Sequence, residues 1–559
     1  GRSLNVTGNA TFEANSTAGS SASATASAKG ASKDDTEAAG KPEADDQANG
    51  AMGLGDSKAP SKPAASGTQP TAESSDGKVG VAAAIAVNVA LNDSHAYVPA
   101  SGTVTVGGTL TLRSTSDTDA GATADGSATD TTNGVGVAVA VNYANIDNTA
   151  YVGDIATVTA GGLDVEAKMN STDGDGTHTL GAEATAGAGA DNVGVAGALG
   201  LNILAGQTEA TVNTGAGVTL TGGGDVHLTA ANTTASTVKA TGKASGGKVG
   251  VGAAVGLNIV PAHTKAEVKD TASITDAHDL KLSATGDHTV TTTVESGAEG
   301  GTAVSPAVAI AIVTNTTTAN VGSGTGTTHV TGDLEIKAIH TGTLSTTVDA
   351  SAAGDSVAVG AGVAVNVDSE TASATLGRNL TADGDATITA TSTLTAGAET
   401  TASAKGQSED GKDSDNEAGD QVNNNPTTAG HTLPKAKDST DQANSSASSE
   451  SGGKGSGGVG VAAAISVNWV VANTTASLGD SAQLTGGAVT LRATTETDST
   501  AKGQGTALNA SSSTNVAAAV GLNVATVHNT AKVSDNAHVT ADSLTLAAIP
   551  PRRRARPTT

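Results

Sequence analysis

Cysteine is absent from all 559 residues, which excludes disulfides, thiolate metal sites and cysteine nucleophiles together. Aromatic residues are nearly absent: Phe12, Trp469, Tyr97, Tyr143 and Tyr151 are the full set. Large side chains fill ordinary globular cores. Here the apolar 37% is mostly Ala and Val, and Gly adds 72 residues, so any core is thin and shared among small units. Basic residues are scarce, 29 Lys plus Arg against 55 Asp plus Glu, for a net charge of −26. Such a surface repels nucleic acid and anionic lipid, so no nucleic-acid partner is expected. No run approaches the ~18 uninterrupted apolar residues of a spanning helix, so no membrane insertion is expected either. A secreted chain without disulfides must be stabilised by length and stacking instead.

What is present is a repeat. Val79-Gly-Val-Ala-Ala-Ala-Ile-Ala-Val-Asn88 returns as Val135-Gly-Val-Ala-Val-Ala-Val-Asn142, and again in segments ending at Asn202, Asn258, Asn366, Asn468 and Asn523. A further copy carries Ala311 in place of the Asn. Successive markers are 54, 60, 56, 53, 55, 102 and 55 residues apart, a period of about 55 with one long insertion. Each copy continues with a polar turn such as Asn145-Ile-Asp-Asn148, then Ala-x-Val or Ala-x-Leu. A Gly/Asp turn and an alternating strand such as Gly161-Gly-Leu-Asp-Val-Glu-Ala167 follow. Nothing reads at helical period, and strand signals dominate.

Leu163-Asp-Val-Glu alternates apolar and polar, which predicts one buried and one wet face. Val79 to Val87 places Val or Ile on one side and Ala or Gly on the other, which predicts a strand covered on both sides. The marker asparagines lie on the small-residue side. Stacked copies would bring Asn88, Asn142, Asn202, Asn258, Asn366, Asn468 and Asn523 into one amide ladder or turn-closing row, a structural role.

Residues 28–76 and 401–456 are rich in Asp, Glu, Lys, Ser, Gly and Pro with few large apolar residues, and are expected to be disordered acidic inserts. Thr25-Ala-Ser-Ala-Lys-Gly30 and Thr401-Ala-Ser-Ala-Lys-Gly406 precede them, suggesting a higher-order repeat of about 380 residues. The expected organisation is the end of a truncated repeat at 1–27 and six β repeats at 77–400. Two more repeats follow at 457–548, then a basic Pro/Arg tail at 549–559 that reads as an end artefact. The chain begins in mid-pattern and reads as a fragment.

Candidate chemistry is thin. Gly242-Lys-Ala-Ser-Gly-Gly247-Lys248 has Val249 where a phosphate loop needs Ser or Thr, and Val249 opens a strand. Gly222-Gly-Gly-Asp225 and Asp173-Gly-Asp-Gly176 look like calcium-loop fragments, but each occurs once where tandem copies are required. Loosely bound calcium on the acidic surface is all that is expected. Eleven histidines, among them His95, His227, His263 and His528, show no His-x-x-x-His or paired spacing, and several fall in turns or at strand edges, where a solvated imidazole is the ordinary reading. No carboxylate pair recurs, and Thr-x-Thr at Thr103-Val-Thr105 is too irregular for an ice-binding array. No catalytic, cofactor-binding or metal residue is assigned, and no enzyme is expected.

The order of the three motifs resembles the repeat region of giant bacterial leukotoxin-type filamentous adhesins, akin to two-partner-secretion exoproteins. These motifs are Gly-Val-Ala-Val-Ala-Val-Asn, then Asn-Thr-Ala-x-Val, then Ala-Gly-Gly-Leu-x-Val-x-Ala. The resemblance covers all eight units. It implies a β-solenoid shaft, export through an outer-membrane secretion partner, an extracellular or cell-surface location, and attachment to a host-cell or surface receptor. The expected fold is all-β, a right-handed parallel β-helix with two to three coils per unit, with long antiparallel hairpin repeats as the alternative. The expected function is a non-enzymatic adhesin shaft. The alternatives are a surface-layer or biofilm-matrix protein assembling laterally through Ala/Gly faces, and a secreted toxin.

Overall fold

The computed structural model describes residues 3–29, 79–324, 327–405, 458–508 and 512–549. The two inserts and the tail fall outside the described residues except at their edges, where strands run on to Lys29, Lys405 and Ile549. The described chain is strand with short turns and no helix.

Every strand pair among the described residues is parallel, and each joins one repeat unit to its neighbour. The strand 79–98 pairs with 133–152, placing Asn88 beside Asn142. The series continues through 193–212, 249–268, 302–321, 357–376, 458–478 and 512–533. The alternating strands form a second, facing series from 10–29 to 489–508. Short strands such as Thr103–Val106, Thr157–Ala160 and Gly217–Leu220 stack along one end. The antiparallel hairpin alternative is therefore not the arrangement. Nor do two or three strand turns pair within one unit, because each unit's strands are long enough to complete a single circuit. The architecture is compatible with a β-solenoid.

Long strands such as Thr109–Val152 and Leu280–Val321 double back midway, so one half faces the other. Ser296 and Ser305, nine residues apart, bring their hydroxyls to 2.6 Å across this fold. The space between the faces tapers. At the wide end, where three strands meet, Leu110, Leu112, Val152, Val158, Leu163 and Val165 form one buried cluster. Towards the fold-back the interior is mostly Ala, such as Ala122, Ala124, Ala138 and Ala140, with Val238, Val294 and Val348 accommodated where glycines such as Gly256 and Gly362 face them. There a Cβ on Gly136 would lie 2.0 Å from the carbonyl oxygen of Gly187, and one on Gly252 would lie 1.9 Å from that of Gly297. Backbone meets backbone more closely than the ~10 Å of ordinary stacked sheets, and only Gly fits.

This taper sets which side of the repeat strand is covered. Val79–Val98 alternates exposed and buried along its length, with Gly, Ala and Asn inside and Val, Ile and Leu outside. The expectation of cover on both sides is corrected: no described residue lies over the Val/Ile side. The Ala and Gly faces are interior, so lateral assembly through them is closed.

The marker asparagines sit midway along the taper. Asn88 Nδ2 donates to Asn142 Oδ1 at 2.8 Å, Asn142 to Asn202 at 2.8 Å, and Asn202 to Asn258 at 3.4 Å. Asn142 also donates to the facing carbonyl of Ala120, tying the two faces together. Ala311 interrupts the row, and Asn258 donates instead to the carbonyl oxygens of Ser236 and Thr291. Asn366 donates to the Gly397 carbonyl at 2.8 Å, and Asn468 resumes the row by donating to Asn523 at 3.0 Å. Thirteen residues past the row position, the turn residue is left-handed at Ser101, Ile155, Gly215, Thr271, Ser481 and Asn536. The N–H of Ser101 donates to the Asp154 carbonyl of the next unit, and that of Ile155 to the Thr214 carbonyl, so the turns stack as the strands do.

Two alanine substitutions separate the inner face from the outer. Gly252→Ala puts a Cβ against a facing carbonyl and is expected to destabilise the fold by roughly 2–3 kcal/mol. Gly197→Ala, whose Cβ would meet nothing within 4 Å, should stay within about 0.5 kcal/mol of the parent. Thermal unfolding of the two variants checks this, and equal midpoints would contradict the close approach of the faces.

Candidate functional surface

The outer side of the repeat-strand sheet divides in two at the marker row. On the side towards the fold-back, alternate residues from nine before the marker to one after it point outward in each of eight units. Val137, Val139, Val141 and Tyr143 serve in one unit, and Val251, Val255, Leu257 and Ile259 in another. None of these positions carries a charged side chain in any unit. Even inside the stack Leu199, Val255, Val367 and Trp469 keep 38%, 39%, 41% and 51% of their surface, and Ile85 on the end strand keeps 66%. The β-branched residues that favour strands thus build an apolar plateau on the outside.

Beyond the marker row the same face becomes polar. His95, Tyr97, Asp147, Thr149, Tyr151, Gln207 and Lys269 line a shallow open groove of about 380 Å³. Tyr97 and Tyr151 stack with ring centroids 4.9 Å apart. His95 Nδ1 lies 2.5 Å from Thr149 Oγ1, but the nearest carboxylate oxygen, Asp147 Oδ2, is 3.9 Å from its Nε2. That is too long for the hydrogen bond that orients a catalytic imidazole. The outer side of the facing sheet carries charge ladders instead: Glu166 bridges Arg113 and Lys168, each at 2.8 Å, and His227 sits 3.1 Å from Asp164. His227 is partly solvated, as the sequence suggests, and the hydrogen bond to Asp164 raises its pKa.

Three histidines depart from that reading. His178, His288 and His340 are buried between the faces, at the even, inward positions of their strands. His288 and His340 stack at 5.5 Å. Glu370 reaches His340 Nε2 at 2.5 Å and accepts from Asn315 at 3.2 Å, and Asp368 is buried beside it. Burial disfavours charge on both partners: it pushes Glu370 up to about 8 and His340 down to about 4. A neutral pair fits the contacts, with the Glu370 carboxyl donating to Nε2 and His340 Nδ1–H donating to Thr317 Oγ1 at 3.0 Å. Strand parity was the available signal; spacing searches for metal motifs pass over it.

No protein-family model, curated protein or solved structure matches this chain. The functional reading therefore rests on the surfaces themselves.

The Glu370–His340 pair makes stability pH-dependent in both directions. Glu370, raised in the folded state, favours folding at low pH, and that contribution is lost as pH rises from about 4.5 through 8. His340, lowered, favours folding above 6.5, and its contribution is lost as pH falls towards 4. Glu370→Gln keeps a donor for the imidazole and removes Glu370's own share of the alkaline-side loss, on the order of 2–3 kcal/mol between pH 5.5 and 8, while Asp368, which burial and then Glu370 also push up, keeps a contribution of the same sign. Denaturant unfolding across that range checks it; an unchanged slope in the variant would contradict the neutral pair.

Proposed function

We propose that this chain is a non-enzymatic repeat segment of a large secreted or cell-surface bacterial adhesin, attaching to cells or surfaces. In this reading it is a right-handed parallel β-solenoid with one coil per unit of about 55 residues. The hand follows from the strong preference of parallel crossovers. Export through an outer-membrane partner belongs to the same proposal and is carried by the resemblance of the repeats alone.

The observation that carries the reading is the apolar plateau, over which no described residue lies. At about 4.8 Å per strand, eight coils advance about 38 Å, while a strand of about 20 residues spans about 66 Å. The segment is a broad blade, so it contributes breadth of face more than reach. The plateau covers roughly 33 by 38 Å, about 1,200 Å², where soluble monomers rarely expose contiguous patches beyond a few hundred Å². A spacer that only separated other domains would have no use for it.

The same surface favours a second reading, a matrix protein whose copies pack plateau to plateau. A stable interface needs about 800 Å² per partner, and the plateau is the broad uncharged area on a chain of charge −26.

The variant Val141→Lys with Leu257→Lys places charges on two separated strands of the plateau. Folding should survive, with the unfolding midpoint within a few degrees of the parent's. Adsorption to alkyl-coated beads is expected to fall at least fivefold, and any concentration-dependent increase in molar mass should vanish. Unchanged adsorption and mass would overturn the role given to this face.

A further inference from the structure

The unit between Asn142 and Asn202 is the 60-residue one, and its extra length has a definite place. The strand 162–169 runs beside 109–116 at an offset of 53, Ser116 pairing with Met169. Pairing resumes with Asp119 beside Thr179, an offset of 60. The seven additional residues form an excursion between Met169 and His178 that contains Asp173-Gly-Asp-Gly176.

The excursion lies back over the neighbouring strand. Asn170 Nδ2 donates to Asn15 Oδ1 and Thr17 Oγ1, at 2.7 and 2.8 Å, two strands away. Asp117, which by strand parity points outward, is thereby only 2% exposed. A Cβ on Gly174 would fall 1.7 Å from Asp117 Oδ2, so the loop rests directly on the carboxylate. Gly176 N donates to Oδ2 at 3.3 Å. Asp117 Oδ1 is buried with no hydrogen-bond partner, an uncommon and costly state for a carboxylate oxygen.

Two more acids stand beside it. Oxygen atoms of Asp117, Asp119 and Asp175 all lie within 4.8 Å of one another. We infer that this loop-covered cluster is a binding site for a hard divalent cation, calcium, with Asp117, Asp119 and Asp175 as carboxylate ligands. Oxygen-only donors select a hard cation over zinc. Oxygens all within 4.8 Å of one another fit the flexible shell of about 2.4 Å that carboxylates form around calcium. Burial first, then repulsion from the neighbouring acids, raises the Asp117 carboxyl, and burial and Asp175 raise Asp119; a bound cation reverses the repulsion. The two other candidate groups, around His95 and His278, consist of exposed or half-exposed side chains; Asp147 beside His95 also has a buried, unpartnered Oδ1, but its side chain is 27% exposed and no described loop covers it as the excursion covers Asp117.

Calcium titration of the full chain after chelator treatment, followed by calorimetry and by thermal unfolding, tests the site. The expected result is one saturable site and a raised unfolding midpoint. Asp175→Asn, an exposed loop substitution that leaves the core untouched, should weaken calcium at least tenfold and abolish the shift. Asp383→Asn removes the same charge elsewhere and should change neither. Absence of saturable binding, or equal effects of Asp175→Asn and Asp383→Asn, would overturn the site and leave only diffuse attraction to an acidic surface.

Discussion

The close approach of two backbone faces is the constraint on which the rest of the molecule depends. Where the strands double back, facing carbonyls occupy the space a Cβ would need at Gly136, Gly252 and Gly360. That part of the interior is filled mainly by Gly and Ala, with a Val such as Val294 fitting only where a glycine such as Gly256 faces it, and the alternation of the repeat strand sends its Val, Ile and Leu outward. Each small buried residue contributes little hydrophobic free energy. The deficit is met by repetition, since each unit covers its neighbours and the long strands pair in register from one unit to the next. The Asn row adds buried amides whose donors are satisfied by the next unit or the facing strand, and so helps to hold the register of both faces.

Much of this was legible in the sequence because the parallel stack makes the repeat length equal to the pairing offset. The 54-residue spacing of Asn88 and Asn142 is the register of their strands, and the shared position of the asparagines is their ladder. The covered side was misread for a physical reason. Burial preference favours Val over Ala, and the sequence alone does not show that the facing backbone comes close enough to give the inner side of the repeat strand to Gly and Ala. The number of coils per unit was misread because strands of about 20 residues far exceed the usual 5–6.

The sites were less legible than the fold. His178, His288 and His340 look unremarkable by spacing, and only their inward parity shows that they are buried. Asp117 and Asp175 lie about one unit apart in sequence, and their meeting depends on an excursion folding across a neighbouring strand. The 60-residue spacing marked that unit as unusual without showing where the surplus went. Function follows the same division: inside, the geometry enforces smallness and pairing; outside, it leaves a charge-free plateau, a polar groove and one acid-lined loop free to engage other matter.

The in-register parallel stack is the central claim, and the cysteine-free chain allows a direct measurement of it. Val141 and Leu201 are aligned partners on adjacent strands. Cysteines placed at both should form an intramolecular disulfide on mild oxidation, because aligned strands fall within the span a disulfide bridges. Cysteines at 141 and 199, displaced by two residues along the strand, should remain largely reduced. Efficient cross-linking of the first pair alone is the predicted result. Equal cross-linking of both pairs, or of neither, would contradict the register and the unit-to-unit stacking that follows from it.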